Sequence, residues 1–250
     1  MSDAVRTDLD AGTLTITLAR PENRNALSPS LVNGLGDALA GAEDRHDVRV
    51  IVLTNDGPAF CAGADLKGGD DQEPRYTLPE LIQSMQSHPK PVVGRIAGHC
   101  TGGGVGLAAA CDLSIAADDV VFGFTEVRLG VAPAMISVVV LPKLRRGEAM
   151  ELFLSGEKVG AARAADAGIV NRAVPRHELD AAVEELTGKI VRGGPEALAV
   201  TKRLVYDVPR MHPDGAWPWT ERLSAERFAS DEARAGIAAF REKTDAPWVP

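Results

Sequence analysis

Two segments built from small residues constrain the fold of this 250-residue chain more than any other feature. They read FCAGADLK, from Phe60 to Lys67, and TGGGVGLAAA, from Thr101 to Ala110. Each follows a predicted strand and precedes a predicted helix. Small residues let a ligand reach the backbone, and a helix N-terminus carries free N–H groups with partial positive charge. We therefore expect an α/β fold whose strand ends present main-chain N–H groups to a ligand.

The pattern around these segments supports a layered α/β core. A helix is predicted from Pro29, with Ser28 as N-cap, and a second helix follows a capping box made by Thr77 and Glu80. Apolar or alternating runs predict strands at residues 13–19, 48–54, 91–97 and 112–117. Strands alternating with helices up to about residue 175 are typical of βαβ-type units.

The last part of the chain changes character. Helices are predicted at 177–191, 195–206 and about 220–241, with residues 208–219 as a loop between the second and the third. We predict an α/β core over residues 1–192. A C-terminal helical region over 193–250 is predicted to serve as a lid or an assembly element.

Composition limits the classes of protein that the chain can belong to. A net charge of −8 argues against a nucleic-acid partner, which would require a basic surface. The odd set of Cys61, Cys100 and Cys111 has no paired spacing and indicates reduced thiols. The sequence shows no signal-peptide pattern and no apolar run of membrane-spanning length. We expect a cytoplasmic protein without a membrane partner.

The glycine run fits none of the common ligand-binding motifs. A dinucleotide fingerprint starting at Gly102 would need glycine where Leu107 stands, and neither a P-loop nor a Gly-x-Ser-x-Gly elbow occurs. The stretch RHELDA lacks the second histidine of a zinc protease, because that position is Ala181. No metal site is predicted, and tight helix–strand packing remains an alternative explanation of the glycines.

Taken together, several segments resemble the crotonase superfamily, the enoyl-CoA hydratases and isomerases. They are RPENRNALSPSL (20–31), AFCAGADLK (59–67), PVVGRIAGHCTGGGVGLAAACDLSIAADDVVFGFTEVRLGVAP (91–133), AADAGIVNRAVP (164–175) and FREK (240–243). The resemblance implies a ClpP/crotonase-like spiral of ββα units with a C-terminal helical region. It also implies a homotrimer or a dimer of trimers.

The resemblance also implies an acyl-CoA site without a separate cofactor, because coenzyme A arrives as part of the substrate. The N–H groups of Ala64 and Gly103 would form the oxyanion hole for the thioester oxygen. Residues similar to those that bind CoA or substrate in the family are Arg24, Ala26, Ala62, Gly63, Ala64, Asp65, Leu66, Lys67, Gly103 and Lys243.

The acid–base group distinguishes three possible functions. Family hydratases use two glutamates, and Glu126 is similar to the second of them, whereas Gly106 stands at the position of the first. Glu126 alone could serve a hydratase as base and acid, or it could move a proton between C2 and C4 in a Δ3,Δ2-enoyl-CoA isomerase. A third hypothesis, from another class of protein, is an acyl-CoA-binding homologue with little catalysis.

Two further segments bear on the choice of substrate. The stretch AMISVVVLPK after Pro133 resembles bacterial enoyl-CoA hydratases of the methylglutaconyl-CoA type, which favours hydration. The acidic run GGDDQEP, residues 68–74, is interpreted as a flexible, solvated loop or a lid over the acyl end. Cys61 and Cys111 are expected to be small packing residues, and His99 a structural histidine.

Overall fold

The computed structural model describes residues 4–249. The strands are β1 Val5–Asp10, β2 Thr13–Leu18, β3 Val50–Asn55, β4 Ala59–Cys61, β5 Val92–Ile96, β6 His99–Thr101, β7 Leu113–Ala117, β8 Val121–Gly123, β9 Lys158–Gly160 and β10 Arg172–Val174. The α-helices are α1 Pro29–Ala42, α2 Leu78–Ser87, α3 Gly103–Ala110, α4 Ala134–Val140, α5 Arg146–Ser155, α6 Ala161–Ala167, α7 Leu179–Val191, α8 Pro195–Asp207, α9 Pro213–Phe228 and α10 Asp231–Glu242.

The strands form two sheets that the chain visits in turn. One sheet has the order β1-β2-β3-β5-β7-β10, and the other has the order β4-β6-β8-β9. Pairing is parallel except for β1 with β2 and β8 with β9. Successive units β3–β4–α2 and β5–β6–α3 each place one strand in each sheet before a helix. The predicted spiral of ββα units is therefore confirmed.

Burial explains why these segments form strands. The side chains of β2 alternate between partly and fully buried, whereas every residue of β3 is buried. The first pattern suits a strand with one covered face, and the second suits a parallel strand covered on both faces. Cys61, Cys100 and Cys111 are all buried within this core, as expected of small packing residues.

Helix starts show one local cap and one long-range cap. The predicted capping box of α2 is present, with the Thr77 hydroxyl and the Glu80 carboxylate each accepting the other's N–H. At α1 the predicted N-cap Ser28 makes no such bond with its side chain. Instead the carboxylate of Asp70, forty residues further along the chain, accepts the Ser30 N–H at 2.9 Å.

The acidic run is held against α1 through Asp70 and Glu73, while every residue of the run except Asp70 is exposed, as predicted for a solvated loop. Asn33 donates to the Glu73 carbonyl and accepts the Arg75 N–H, and Arg75 forms a two-pronged ion pair with Asp37. The segment between Cys61 and α2 contains no helix. The expectation that FCAGADLK leads into a helix is therefore wrong, and its N–H groups belong to a turn.

The C-terminal helices differ from the prediction in two places. These are the predicted loop over residues 208–219 and the point at which the last predicted helix is divided. Helix α9 begins at Pro213 and includes Pro218, so most of the predicted loop is helical. The His212 side chain accepts the Asp214 N–H, which caps the helix start that Pro213 opens at N1. The predicted single helix is divided instead near Ser230, whose hydroxyl accepts the Ala233 N–H and caps α10.

A buried polar cluster joins α8 to the C-terminal end of α3. The Asp112 carboxylate accepts the Val92 N–H, pairs with the Lys202 ammonium at 2.8 Å and accepts the Tyr206 hydroxyl. Lys202 also donates to the Met85 carbonyl. Every charge in the cluster has a partner, which is the condition for burying charge without a large cost.

The exposed surface carries apolar groups in the C-terminal part. Trp217, Phe228 and Phe240 are each more than two-thirds exposed. Over residues 4–249, every helix is too short or too polar to span a bilayer. The division at residue 192 stays a prediction, and its outer bounds, residues 1–3 and 250, lie outside the described residues.

Candidate active site

A cavity of about 360 Å³ lies where the two small-residue segments meet. Its lining comes from the turn after β4, the start of α3, the short 3₁₀ helix Thr125–Leu129, and the segment that leads into α4, together with Leu27 and Leu78. Glu126 is the one charged residue among those described as lining it. The cavity is therefore an apolar chamber with a single carboxylate.

Two residues that line this cavity have backbone N–H groups without protein partners among the described residues. Ala64 and Gly103 both line it, and within residues 4–249 neither N–H donates a hydrogen bond to a protein acceptor. The two segments touch: a Cβ on Gly63 would lie 2.9 Å from the Thr101 carbonyl oxygen and 3.1 Å from the Gly103 nitrogen. Gly63 also has a φ of +84°, which favours glycine there. Close approach of two unpaired N–H groups is the arrangement of an oxyanion hole.

Glu126 lies directly beside this pair of N–H groups. Gly102, the residue before Gly103, has a φ of +54°, and a Cβ there would lie 3.3 Å from Oε1 of Glu126. Only glycine therefore suits position 102, for conformation and for space. The glycine run brings the backbone and the carboxylate together at the start of α3.

The Glu126 carboxyl group is partly buried and lacks a counter-ion. Its Oε2 is buried without a hydrogen-bond partner among the described residues. Arg128, the nearest candidate for an ion pair in the sequence, donates instead to the Ser155 carbonyl. Burial raises the pKa of Glu126 above the ordinary value, because the charged form loses solvation. A carboxyl group whose charged form is disfavoured in this way is a candidate general acid–base group.

The position of the missing glutamate is filled by another side chain. Gly106 is buried on α3, and a Cβ there would overlap Cγ2 of Ile136 and lie 2.9 Å from its Cβ. Ile136, on α4, lines the cavity, whereas Gly106 does not. Ile136 therefore stands between α3 and the cavity, and a side chain at position 106 would have to displace it.

Comparison with known proteins shows which family this chain belongs to. Residues 8–249 match the family model described as Enoyl-CoA hydratase/isomerase. The chain belongs to this family. A Thermus thermophilus protein provisionally named an enoyl-CoA hydratase is 33% identical over 237 residues, which cover 91% of this chain and 94% of the relative.

Solved structures of the family superpose on nearly the whole chain. The enoyl-CoA hydratase of Mycobacterium smegmatis is 31% identical, with a TM-score of 0.90 and 99% of each chain covered. The enoyl-CoA hydratase of Bacillus anthracis is 29% identical, with a TM-score of 0.90 and 98% of each chain covered. The crotonase-type fold predicted from the sequence is the fold of these relatives.

The structure brings some of the predicted site residues together and leaves others apart. Those at the cavity of this hydratase/isomerase chain are Ala62, Gly63, Ala64, Leu66, Gly103 and Glu126. Those that do not line it are Arg24, Ala26, Asp65, Lys67, Gly106 and Lys243. Each of the latter set has a placement that explains its separation from the cavity.

Most of these separated residues serve the surrounding backbone. The Arg24 carbonyl accepts the Ala62 N–H, and the Asp65 carboxylate accepts the N–H groups of Lys67 and Gly68. Ala26 is buried, and Lys243 is the exposed residue that ends α10 in the left-handed conformation. Their predicted CoA contacts stay predictions.

Sequence reasoning missed the apolar wall of the cavity. The lining includes Leu27, Leu78, Leu129, Val131 and Ile136, and the sequence patterns single out none of them as site residues. They come from distant parts of the chain, and an apolar side chain at each site has no local pattern that separates pocket lining from core. His99 lies outside the cavity, where its Nδ1 accepts the Val121 N–H.

A second, larger cleft carries none of the predicted site residues. It has a volume of about 650 Å³ and lies between strands β1 to β3 and helix α7. Acidic side chains and threonines line it, together with two arginines. Unpaired N–H groups beside a buried carboxylate occur instead at the smaller cavity, so we assign the chemistry there.

Proposed function

We propose that this enzyme adds water to, or removes it from, a 2-enoyl-CoA thioester, with Glu126 as the only carboxylate that moves protons. The observation that carries the proposal is the convergence of the Ala64 and Gly103 N–H groups with an unpaired, partly buried Glu126 in one apolar cavity. The family acts on acyl-CoA thioesters, and CoA enters as part of the substrate.

The proposed reaction balances with one carboxylate. Glu126 takes a proton from water as the hydroxide adds to C3, and the electrons of the alkene move to the thioester oxygen. The N–H groups of Ala64 and Gly103 stabilise this enolate oxygen. Protonated Glu126 then returns its proton to C2 as the thioester carbonyl reforms. Dehydration follows the same steps in reverse.

A second candidate is favoured by the Ile136 side chain. Because Ile136 occupies the space beside Gly106, Glu126 is the only carboxylate among the described residues that line the cavity. A Δ3,Δ2-enoyl-CoA isomerase needs no water. Glu126 would remove a proton from C2 of a 3-enoyl-CoA and deliver it to C4, through a dienolate held by the same N–H groups.

One pair of assays separates these functions. Crotonyl-CoA and a 3-enoyl-CoA are incubated with the enzyme, and the absorbance of the conjugated thioester is followed. Loss of absorbance with crotonyl-CoA supports hydration, and a gain with the 3-enoyl substrate alone supports isomerisation. No change in either, with measurable binding of acyl-CoA, would contradict both and support a binding protein.

The Glu126→Gln variant tests the assigned base. It should lose turnover in whichever assay is positive, while its affinity for butyryl-CoA stays within a few-fold of the wild type. Glu184→Gln is the matched control, because Glu184 is exposed on α7 and does not line the cavity. Full activity in Glu126→Gln would overturn the mechanism.

A further inference from the structure

One side chain in the lining of the cavity has an unusual position. Ile136 is only 2% exposed, yet it lines the cavity and packs against α3 at Gly106. Its neighbours Met135 and Val131 also line the cavity but are more than half exposed. Ile136 is thus held between a helix and the chamber, whereas Met135 and Val131 are free to move aside.

The distance along α3 indicates which part of an acyl group meets Ile136. Gly106 lies three residues after Gly103, about 4.5 Å along the helix axis. A thioester oxygen on the Gly103 N–H would place the first carbons of the acyl chain within that reach. The side chain packed over Gly106 therefore faces C2 to C4, and not the distant end of a long chain.

We infer that Ile136 is the specificity-determining residue for substituents on the first carbons of the acyl group. It limits the bulk allowed at C2 and C3, because it cannot retreat into α3. The inference rests on the proposed function only in placing the thioester oxygen at the Ala64 and Gly103 N–H groups.

Position 106 makes the effect of Ile136 adjustable in both directions. Because Gly106 has no side chain, shortening Ile136 leaves a space that nothing on α3 refills. Adding a Cβ at position 106 does the opposite, since that atom overlaps Ile136 Cγ2 and pushes the side chain toward the substrate. The two substitutions should therefore shift substrate preference in opposite directions.

The test uses two 2-enoyl-CoA substrates, crotonyl-CoA and 3-methylcrotonyl-CoA, and the ratio of their kcat/KM values. Ile136→Val should raise the branched-to-linear ratio about 4-fold, since the two substrates differ by one methyl group and its burial is worth about 4-fold. Ile136→Ala should raise the ratio at least as much. Gly106→Ala should lower the ratio. Val139→Ala is the matched control: it is buried on the same helix but does not line the cavity, so the ratio should stay unchanged.

A binding arm separates this inference from the proposed function. Dissociation constants of the saturated butyryl-CoA and 3-methylbutyryl-CoA are measured by calorimetry for the same four variants. A shifted affinity ratio without turnover of any enoyl-CoA would support the role of Ile136 in specificity and contradict the proposed enzyme function. Ratios that stay within 2-fold of the wild type in folded Ile136→Ala, in both arms, would overturn the inference.

Discussion

Two carboxylates lie at opposite ends of α3 and differ in whether they have hydrogen-bond and ion-pair partners. Glu126 lies at the N-terminal end of the helix with a buried oxygen that has no partner, whereas Asp112 at the C-terminal end has Lys202, Tyr206 and the Val92 N–H. Burial raises the pKa of both carboxyl groups, and at Asp112 the Lys202 ammonium opposes that shift. Burial alone therefore does not make a catalytic group; burial without a partner leaves a carboxyl group free to exchange protons.

The comparison predicts reciprocal effects of removing each charge. Glu126→Gln should lower kcat on the order of 100- to 10,000-fold, the usual contribution of a general acid–base group, without loss of folding. Asp112→Asn should lower the melting temperature while leaving kcat of the folded enzyme within a few-fold. Steady-state kinetics and thermal unfolding of both variants check this. A catalytic defect of equal size in both variants would break the comparison.

The largest stability effect is expected at the paired end of α3. Lys202→Met leaves the Asp112 carboxylate buried without its cation, which should cost about 3–5 kcal/mol of unfolding free energy. The double variant Asp112→Asn/Lys202→Met should lose less than the single one, since it leaves no unpaired charge. Urea unfolding measures both, and a double variant less stable than Lys202→Met would contradict the pairing.

Glu126, the unpaired carboxylate, should make the free energy of unfolding depend on pH. The folded pKa of Glu126 is raised, so proton binding stabilises the fold fully below the ordinary carboxyl value of 4.5, and this contribution is lost as pH rises through the raised pKa. Glu126→Gln, which never ionises, should match the wild type near pH 4 and be the more stable protein at pH 8. Unfolding curves over this range check the sign, and a wild type that is more stable than the variant at pH 8 would contradict it.

The smallest effect concerns the loop that follows the Ala64 turn. Asp70→Ala removes the cap at the start of α1 and should cost about 1 kcal/mol of unfolding free energy. Asp71→Ala is the control, since Asp71 is exposed in the same loop and its side chain makes no hydrogen bond within residues 4–249. Urea unfolding compares the two variants. Equal stability of the two variants would contradict the role of Asp70 as a cap. A change in kcat larger than 10-fold in Asp70→Ala would show that the loop also positions Ala64.

Local signals were enough for part of the fold. The capping box of Thr77 and Glu80 and the alternation in β2 involve residues close in sequence, and both predictions are confirmed. Pro218 is a local signal that led to a wrong prediction, a loop over residues 208–219. Its ring disfavours a helix interior, but α9 begins at Pro213 and continues through position 218.

The site was predictable only where its residues carry a motif. The two small-residue segments and Glu126 fall in matching stretches of sequence, and the structure brings them to one cavity. Ile136 and Asp70 could not be found in this way. Their importance arises from contacts with Gly106 and Ser30, which are thirty or more residues away, and an isoleucine or aspartate alone carries no record of such a contact.

The cap that Asp70 supplies to α1 has a consequence for the order of folding. A helix that depends on a residue forty positions away cannot complete its first turn until that loop has closed. Formation of α1 is therefore tied to strands β3 and β4, which lie between the two partners in sequence. A nascent chain that ends before Asp70 would hold α1 without this cap.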